Sequence, residues 1–217
     1  LCNMATEFAA FSGMVAPDDK TFAYLEGRPY APKGADWDKA VAHWRSLRSD
    51  ADAVFDKEIV IDGAEVSPMV TWGTSPQHAA PIDGLVPDFD SVSSRDSRES
   101  YDRALQYMDL KPGTPLSEVA IEAAFIGSCT NSRISDLRRA AAILKGRKVR
   151  EGVKAICVPG SSSVKRKAEA EGLDQVFKDA GFEWREPGCS MCFFAGGESF
   201  GRRERVVSST NRNFESR

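Results

Sequence analysis

Histidine is scarce in this chain: of 217 residues only His43 and His78 carry an imidazole. Charge of one sign is lacking too, with Lys+Arg 29 set against Asp+Glu 32 for a formal charge of -3. Such a balance gives no electrostatic reason to expect nucleic acid or an anionic membrane as a partner. No apolar run approaches the roughly 18 residues needed to span a bilayer. The start, Leu1-Cys2-Asn3-Met4, has neither the basic region nor the apolar stretch of a signal peptide. The five cysteines are an odd number, and a body of this size needs no disulfide staples. These absences favour a reducing compartment, and the expectation is a cytoplasmic protein whose partners are small molecules and other proteins.

What is present divides in two at Lys111-Pro112-Gly113-Thr114-Pro115. Residues 1–115 read as a mixture of helices and irregular joins. Asn3 to Ser12 suits a short buried helix starting at an Asn cap. Trp37, Val41, Trp44 and Leu47 share one helical face, with His43 off the stripe. Lys57 to Asp62 reads as a strand, Trp72 to Asp90 as a Pro-broken loop, and Glu99 to Met108 as a helix. Residues 116–217 are rhythmic, with strands at Ala123–Gly127, Lys154–Val158, Phe182–Arg185 and Arg205–Val207. Helices are expected between them, near 135–144, 163–171 and 174–180. The alternation argues for a layered α/β unit with a mostly parallel sheet.

Each of the four strands is followed by a polar loop rich in Gly or Ser: Gly127-Ser128-Cys129-Thr130-Asn131-Ser132-Arg133, Pro159-Gly160-Ser161-Ser162-Ser163, Pro187-Gly188-Cys189-Ser190-Met191-Cys192, and Ser208-Ser209-Thr210-Asn211-Arg212-Asn213-Phe214. In parallel sheets ligands sit outside the carboxyl ends of the strands, so the four loops should converge on one site that contains Cys129, Cys189 and Cys192. Four chemistries fit those thiols. A structural zinc ion needs a fourth ligand, to be found among Cys2, Cys157, His43 and His78. A redox pair would use Cys189 and Cys192 and leave Cys129 unexplained. Burial as small hydrophobes suits Cys157, inside a strand, but not two cysteines in a Pro-Gly loop. An iron-sulfur cluster on three thiolates would leave one iron open to a substrate oxygen, where it acts as a Lewis acid.

The motifs Ile126-Gly127-Ser128-Cys129-Thr130-Asn131-Ser132, Pro187-Gly188-Cys189-Ser190-Met191-Cys192 and Ser209-Thr210-Asn211-Arg212-Asn213-Phe214 resemble the cluster and substrate motifs of the aconitase family. Cys2-Asn3-Met4-Ala5-Thr6-Glu7, Ala31-Pro32-Lys33-Gly34, Val70-Thr71-Trp72-Gly73-Thr74 and Gly172-Leu173-Asp174 are similar, more narrowly, to the large subunits of its isopropylmalate dehydratase branch. The resemblance covers essentially the whole chain. It implies three-layer αβα units and a [4Fe-4S] cluster on Cys129, Cys189 and Cys192. It also implies interconversion of 2- and 3-isopropylmalate through the dehydrated alkene, in leucine biosynthesis. By the same resemblance Asn3 and Asn211 lie beside the cluster, Glu7 stands near the substrate hydroxyl, and Arg212 and Arg217 hold substrate carboxylates. Residues 116–217 become the cluster-binding domain and 1–115 the remainder of a further α/β domain with a connecting segment. The partner implied is a separate small subunit that supplies a serine base and further arginines.

The match departs at two places. Phe193-Phe194-Ala195-Gly196-Gly197-Glu198 stands where the isomerases carry a small aliphatic residue followed by Gly or Ala, and Ser216 replaces a usual Gly. The bulkier loop raises a second reading, a related dehydratase for another hydroxy dicarboxylate of methylmalate type. A third, from a different class, is a cluster-free scaffold that binds a partner. The expected N-terminal region with its proton-handling His and Asp residues is not in these 217 residues, and the expectation is that they are inactive alone.

Overall fold

The computed structural model describes residues 2–88, 95–192, 200–210 and 215, without the side chains of Glu7, Phe8, Arg95, Asp96 and Cys192. By its internal contacts the chain forms two units, residues 1–63 and 64–217.

The first unit opens with a 3-10 turn, Cys2–Phe8, and holds two helices, α1 (Asp19–Leu25) and α2 (Ala35–Arg45). The Asp18 carboxylate caps α1 by accepting the Thr21 N–H at 2.9 Å, which holds its pKa below the usual carboxylate value. Trp44 stacks on Phe22 at 6.0 Å and meets Trp37 edge-on at 5.7 Å, so the aromatic stripe read from the sequence is the seam of this unit. Two expectations are corrected here. The stretch from Asn3 to Ser12 is not a buried helix: the 3-10 turn stops before Ala9, whose φ is 58, and Phe11 is fully exposed. Lys57 to Asp62 forms no strand. Ile59, Val60 and Ile61 are 72%, 96% and 72% exposed, because β-propensity without a neighbouring strand satisfies none of the ladder's hydrogen bonds.

The second unit begins with an antiparallel hairpin, β1 (Met69–Thr71) and β2 (Ala79–Pro81), inside and beside a segment the sequence marks as loop. The two strands have only three residues each, too short for a period-2 signal, and the second ends on a proline. Helix α3 (Arg95–Met108) lays Ala104 and Leu105 against Trp72, Ala80 and Val86 as a small core. The main core is a four-stranded parallel sheet of β3 (Ala123–Gly127), β4 (Lys154–Val158), β5 (Phe182–Trp184) and β6 (Val206–Ser208), in the order β5-β4-β3-β6. Within β4 four consecutive residues, Ala155 to Val158, are buried, the pattern of a central strand covered on both faces.

Strand alternation sorts the side chains. Ala155, Cys157 and Phe182 join Leu137 and Ala141 of α4 (Ile134–Leu144), Ala168 of α5 (Ser162–Ala170) and Phe177 and Ala180 of α6 (Leu173–Ala180). Phe125, Ile156 and Val158 point the other way, toward Met191 and the half-buried Phe200 and Val206. The α/β fold with a parallel sheet is thus as the sequence anticipates, and its element limits agree to within a residue or two. No helix among the described residues is long and apolar enough to cross a membrane.

Candidate functional site

Since β3, β4, β5 and β6 are mutually parallel, their carboxyl ends lie along one edge of the sheet. Cys129 follows β3 by two residues and Cys189 follows β5 by five, so both cysteine loops leave that edge, on either side of β4. Both thiols are exposed. Helices α4 and α5 begin at the same edge, with Ser161 accepting the Val164 N–H at 3.2 Å and Asp136 accepting the Arg133 N–H at 3.0 Å. Their positive dipole ends are therefore turned toward the cysteine loops.

Glycine makes the close packing of this edge possible. Gly127 has φ +134, and a Cβ there would fall 2.0 Å from the Val158 carbonyl oxygen. A Cβ on Gly160 would fall 2.6 Å from the Ser132 carbonyl oxygen. The Cys129 turn is thereby held against the β4 loop by two backbone bonds, Ser128 N–H to Val158 O at 3.2 Å and Gly160 N–H to Ser132 O at 2.9 Å. Ser128, at φ 82, and Ser132 are both fully buried, and their hydroxyls find no hydrogen-bond partner among the described residues. Buried, unsatisfied donors flanking an exposed thiol are rare in a finished core.

A second polar region lies in the same unit, a cavity of about 630 Å³ lined by Thr74, Ser75, His78, Glu99, Ser100, Arg103 and Glu215. His78, which the sequence reading offered only as one possible fourth ligand of a zinc ion, is 1% exposed. Its Nδ1 accepts the Thr74 N–H at 3.1 Å, so Nδ1 is unprotonated, and Nε2 pairs with the Ser100 hydroxyl at 3.3 Å. The ring lies against Trp72 and Tyr101, and its burial lowers the imidazole pKa. Gly73 makes room for the ring: a Cβ there would fall 2.5 Å from His78 Nδ1.

The anticipated site residues are distributed as follows. Cys129 and Cys189 sit on the shared edge, and Cys192 ends the 3-10 turn Ser190–Cys192, with its side chain outside the described part. Among the described residues no three His, Cys, Asp or Glu side chains gather as a metal-ligating group. Asn3 is exposed in the opening 3-10 turn, and the side chain of Glu7 lies outside the described part, as do Asn211, Arg212, Arg217 and the Phe193-Phe194 loop. Cys157 is fully buried, and burial pushes its thiol up to about 12, which removes it from the ligand candidates as the sequence reading held.

The model of the aconitase family (aconitate hydratase) matches residues 1–217. The chain belongs to the aconitase family. Among members of the family, it is 68% identical over 217 residues to the 3-isopropylmalate dehydratase large subunit of Cupriavidus necator, a match that takes in 100% of this chain and 81% of that protein. The motifs that carried the resemblance therefore pointed both to the aconitase family and to the right branch of it. What they did not reveal is the bonding that joins the Cys129 turn to the last strand. The Gly127 N–H donates to the Ser209 hydroxyl at 3.0 Å, across 82 residues of sequence.

Proposed function

We propose that this chain is the cluster-bearing portion of a hydro-lyase of the large-subunit type, interconverting 2- and 3-isopropylmalate by dehydration and rehydration in leucine biosynthesis. The observation that carries the reading is the pair of exposed cysteines on loops from one sheet edge, in a chain 68% identical to a 3-isopropylmalate dehydratase large subunit. The donor set suits an iron-sulfur cluster: thiolates rather than imidazoles, beside buried hydroxyls with unused donors at Ser128 and Ser132. Cys129, Cys189 and Cys192 would hold a [4Fe-4S] cluster within a domain spanning residues 116–217. When bound, the cluster supplies a Lewis-acidic iron for the leaving hydroxyl and the adjacent carboxylate.

The chain's own residues then bind and orient. Arg212 and Arg217 offer planar guanidinium forks to the two carboxylates of the substrate. Glu7 is the chain's proton-handling carboxylate near the departing hydroxyl, and the amides of Asn3 and Asn211 donate to thiolate or sulfide. A small subunit completes the site with the base and further carboxylate binders.

Anaerobic reconstitution with iron and sulfide tests the assignment. The wild-type chain should acquire the visible absorption of an iron-sulfur chromophore, and C129S, C189S and C192S should each lose it. A wild-type protein that stays colourless, or a C129S variant that keeps its colour, would sink the reading.

A further inference from the structure

Ser209 is bonded to both sides of the turn that carries Cys129. Its N–H donates to the Phe125 carbonyl at 3.0 Å, its hydroxyl accepts the Gly127 N–H at 3.0 Å, and its carbonyl accepts the side-chain amide of Asn131. Two of these contacts precede Cys129 and one follows it.

The reason for the side-chain bond lies in the sheet register. The ladder between β3 and β6 ends at Phe125 opposite Ser208, while β3 runs on to Gly127. Gly127 N–H thus points past the end of β6, where no strand carbonyl remains to receive it. The Ser209 hydroxyl takes that place. The loop is in turn fixed on either side of Ser209, since the Thr210 N–H donates to the Ser208 hydroxyl at 3.1 Å and the two hydroxyls lie 2.9 Å apart. The turn needs such restraint. Ser128 sits at φ 82, a conformation that strains a non-glycine residue and persists only where surrounding bonds fix it.

We propose that Ser209, together with Asn131, is a positioning clamp that sets the direction of the Cys129 thiol for metal binding. The inference rests on the reading of Cys129 as a cluster ligand. Ser209 touches neither substrate nor iron in this scheme. It acts through the backbone of the Cys129 turn, at the side opposite the two β4-loop bonds already described. A hydroxyl is the chemical requirement at residue 209, so Thr should serve and Ala should not.

The experiment compares the wild-type chain with S209A, S209T and N131A, each first checked for a native circular dichroism spectrum and a cooperative thermal transition. In the iron-free chain, hydrogen exchange over residues 125–131 should accelerate about fivefold in S209A, the effect of one lost net hydrogen bond, and remain near wild type in S209T. N131A should show a similar acceleration on the far side of Cys129. After reconstitution, S209A should show a shifted electron paramagnetic resonance signature of the reduced cluster and faster loss of iron to a chelator, and S209T should restore both. Unchanged exchange in S209A, or S209T behaving like S209A, would overturn the clamp. Failure of the wild-type chain to take up a cluster would instead overturn the ligand reading, while the exchange comparison still decides whether Ser209 holds the turn.

Discussion

Replacing Gly127 with Ala tests whether close packing of β3 on the β4 loop shapes the candidate site. The added Cβ would meet the Val158 carbonyl oxygen at 2.0 Å and its nitrogen and carbonyl carbon at 2.9 Å, all backbone atoms of a fully buried residue. No rotamer relieves a clash with backbone, so the end of β3 must move by about 1 Å, since Cβ contacts under 3.0 Å essentially never occur. Three costs follow: strain at φ +134, overpacking against β4, and weakening of the Ser128 N–H to Val158 O bond. Together they amount to about 3–6 kcal/mol. For a chain of this size that corresponds to a fall in Tm of at least about 6 °C. Calorimetry or circular dichroism melting would measure it, with G188A as the control. Gly188 lies next to Cys189 yet has nothing within 4 Å of its Cβ position, so G188A should stay within about 0.5 kcal/mol of wild type. A G127A midpoint within about 2 °C of wild type would refute the argument from backbone contact.

Three further outcomes are expected. Iodoacetamide at about pH 8 should modify Cys2, Cys129 and Cys189, which are exposed, and spare Cys157, whose thiol burial pushes up to about 12; peptide mass spectrometry reads this directly. Phe177, fully buried and in edge contact with Phe182 at 5.6 Å, should cost about 3–5 kcal/mol when cut to Ala, read as a lower urea midpoint. His78 gives a pH dependence of known sign. Burial lowers its pKa from the ordinary 6.5, so below that pH the unfolded chain takes up the proton more readily than the folded one. Its contribution is complete above 6.5 and lost on acidification, so the urea midpoint should fall between about pH 7.5 and 5.5, and fall less in H78Q. An equal fall in both proteins would exclude His78 as the source.

The sheet and its helices were legible because each element carries its own signal. Lys154-Ala155-Ile156-Cys157-Val158 is an apolar run bounded by turn residues, and Leu137 and Ala141 repeat at helical spacing; both were found where expected. The cysteine loops were legible for a different reason: each follows a strand end, and parallel pairing makes strand ends neighbours whatever lies between them in sequence. Segments whose conformation depends on a neighbour were misread. Lys57 to Asp62 has the composition of a strand but meets no pairing strand among the described residues, and the Asn3 to Ser12 stretch has helical composition but forms only a 3-10 turn that ends before Ala9.

The same distinction explains why Cys129 was visible and Ser209 was not. A cysteine in a Gly-Ser loop is unusual wherever it occurs, so its residue type alone raises a chemical question. A serine in a Ser-Ser-Thr loop is ordinary, and its role comes from register: β6 ends at Ser208 opposite Phe125, two residues short of Gly127. Register is a relation between two strands more than 80 residues apart, and neither strand encodes it alone. His78 is a parallel case. Its ring is buried by a Gly73 that leaves room for it and held by Thr74 and by Ser100 from a separate helix. In this chain the residues that would perform chemistry announce themselves by type, whereas those that aim them do so only through hydrogen-bond geometry. Mutagenesis guided by residue type alone would therefore test the thiolates and pass over the hydroxyl proposed to orient one of them.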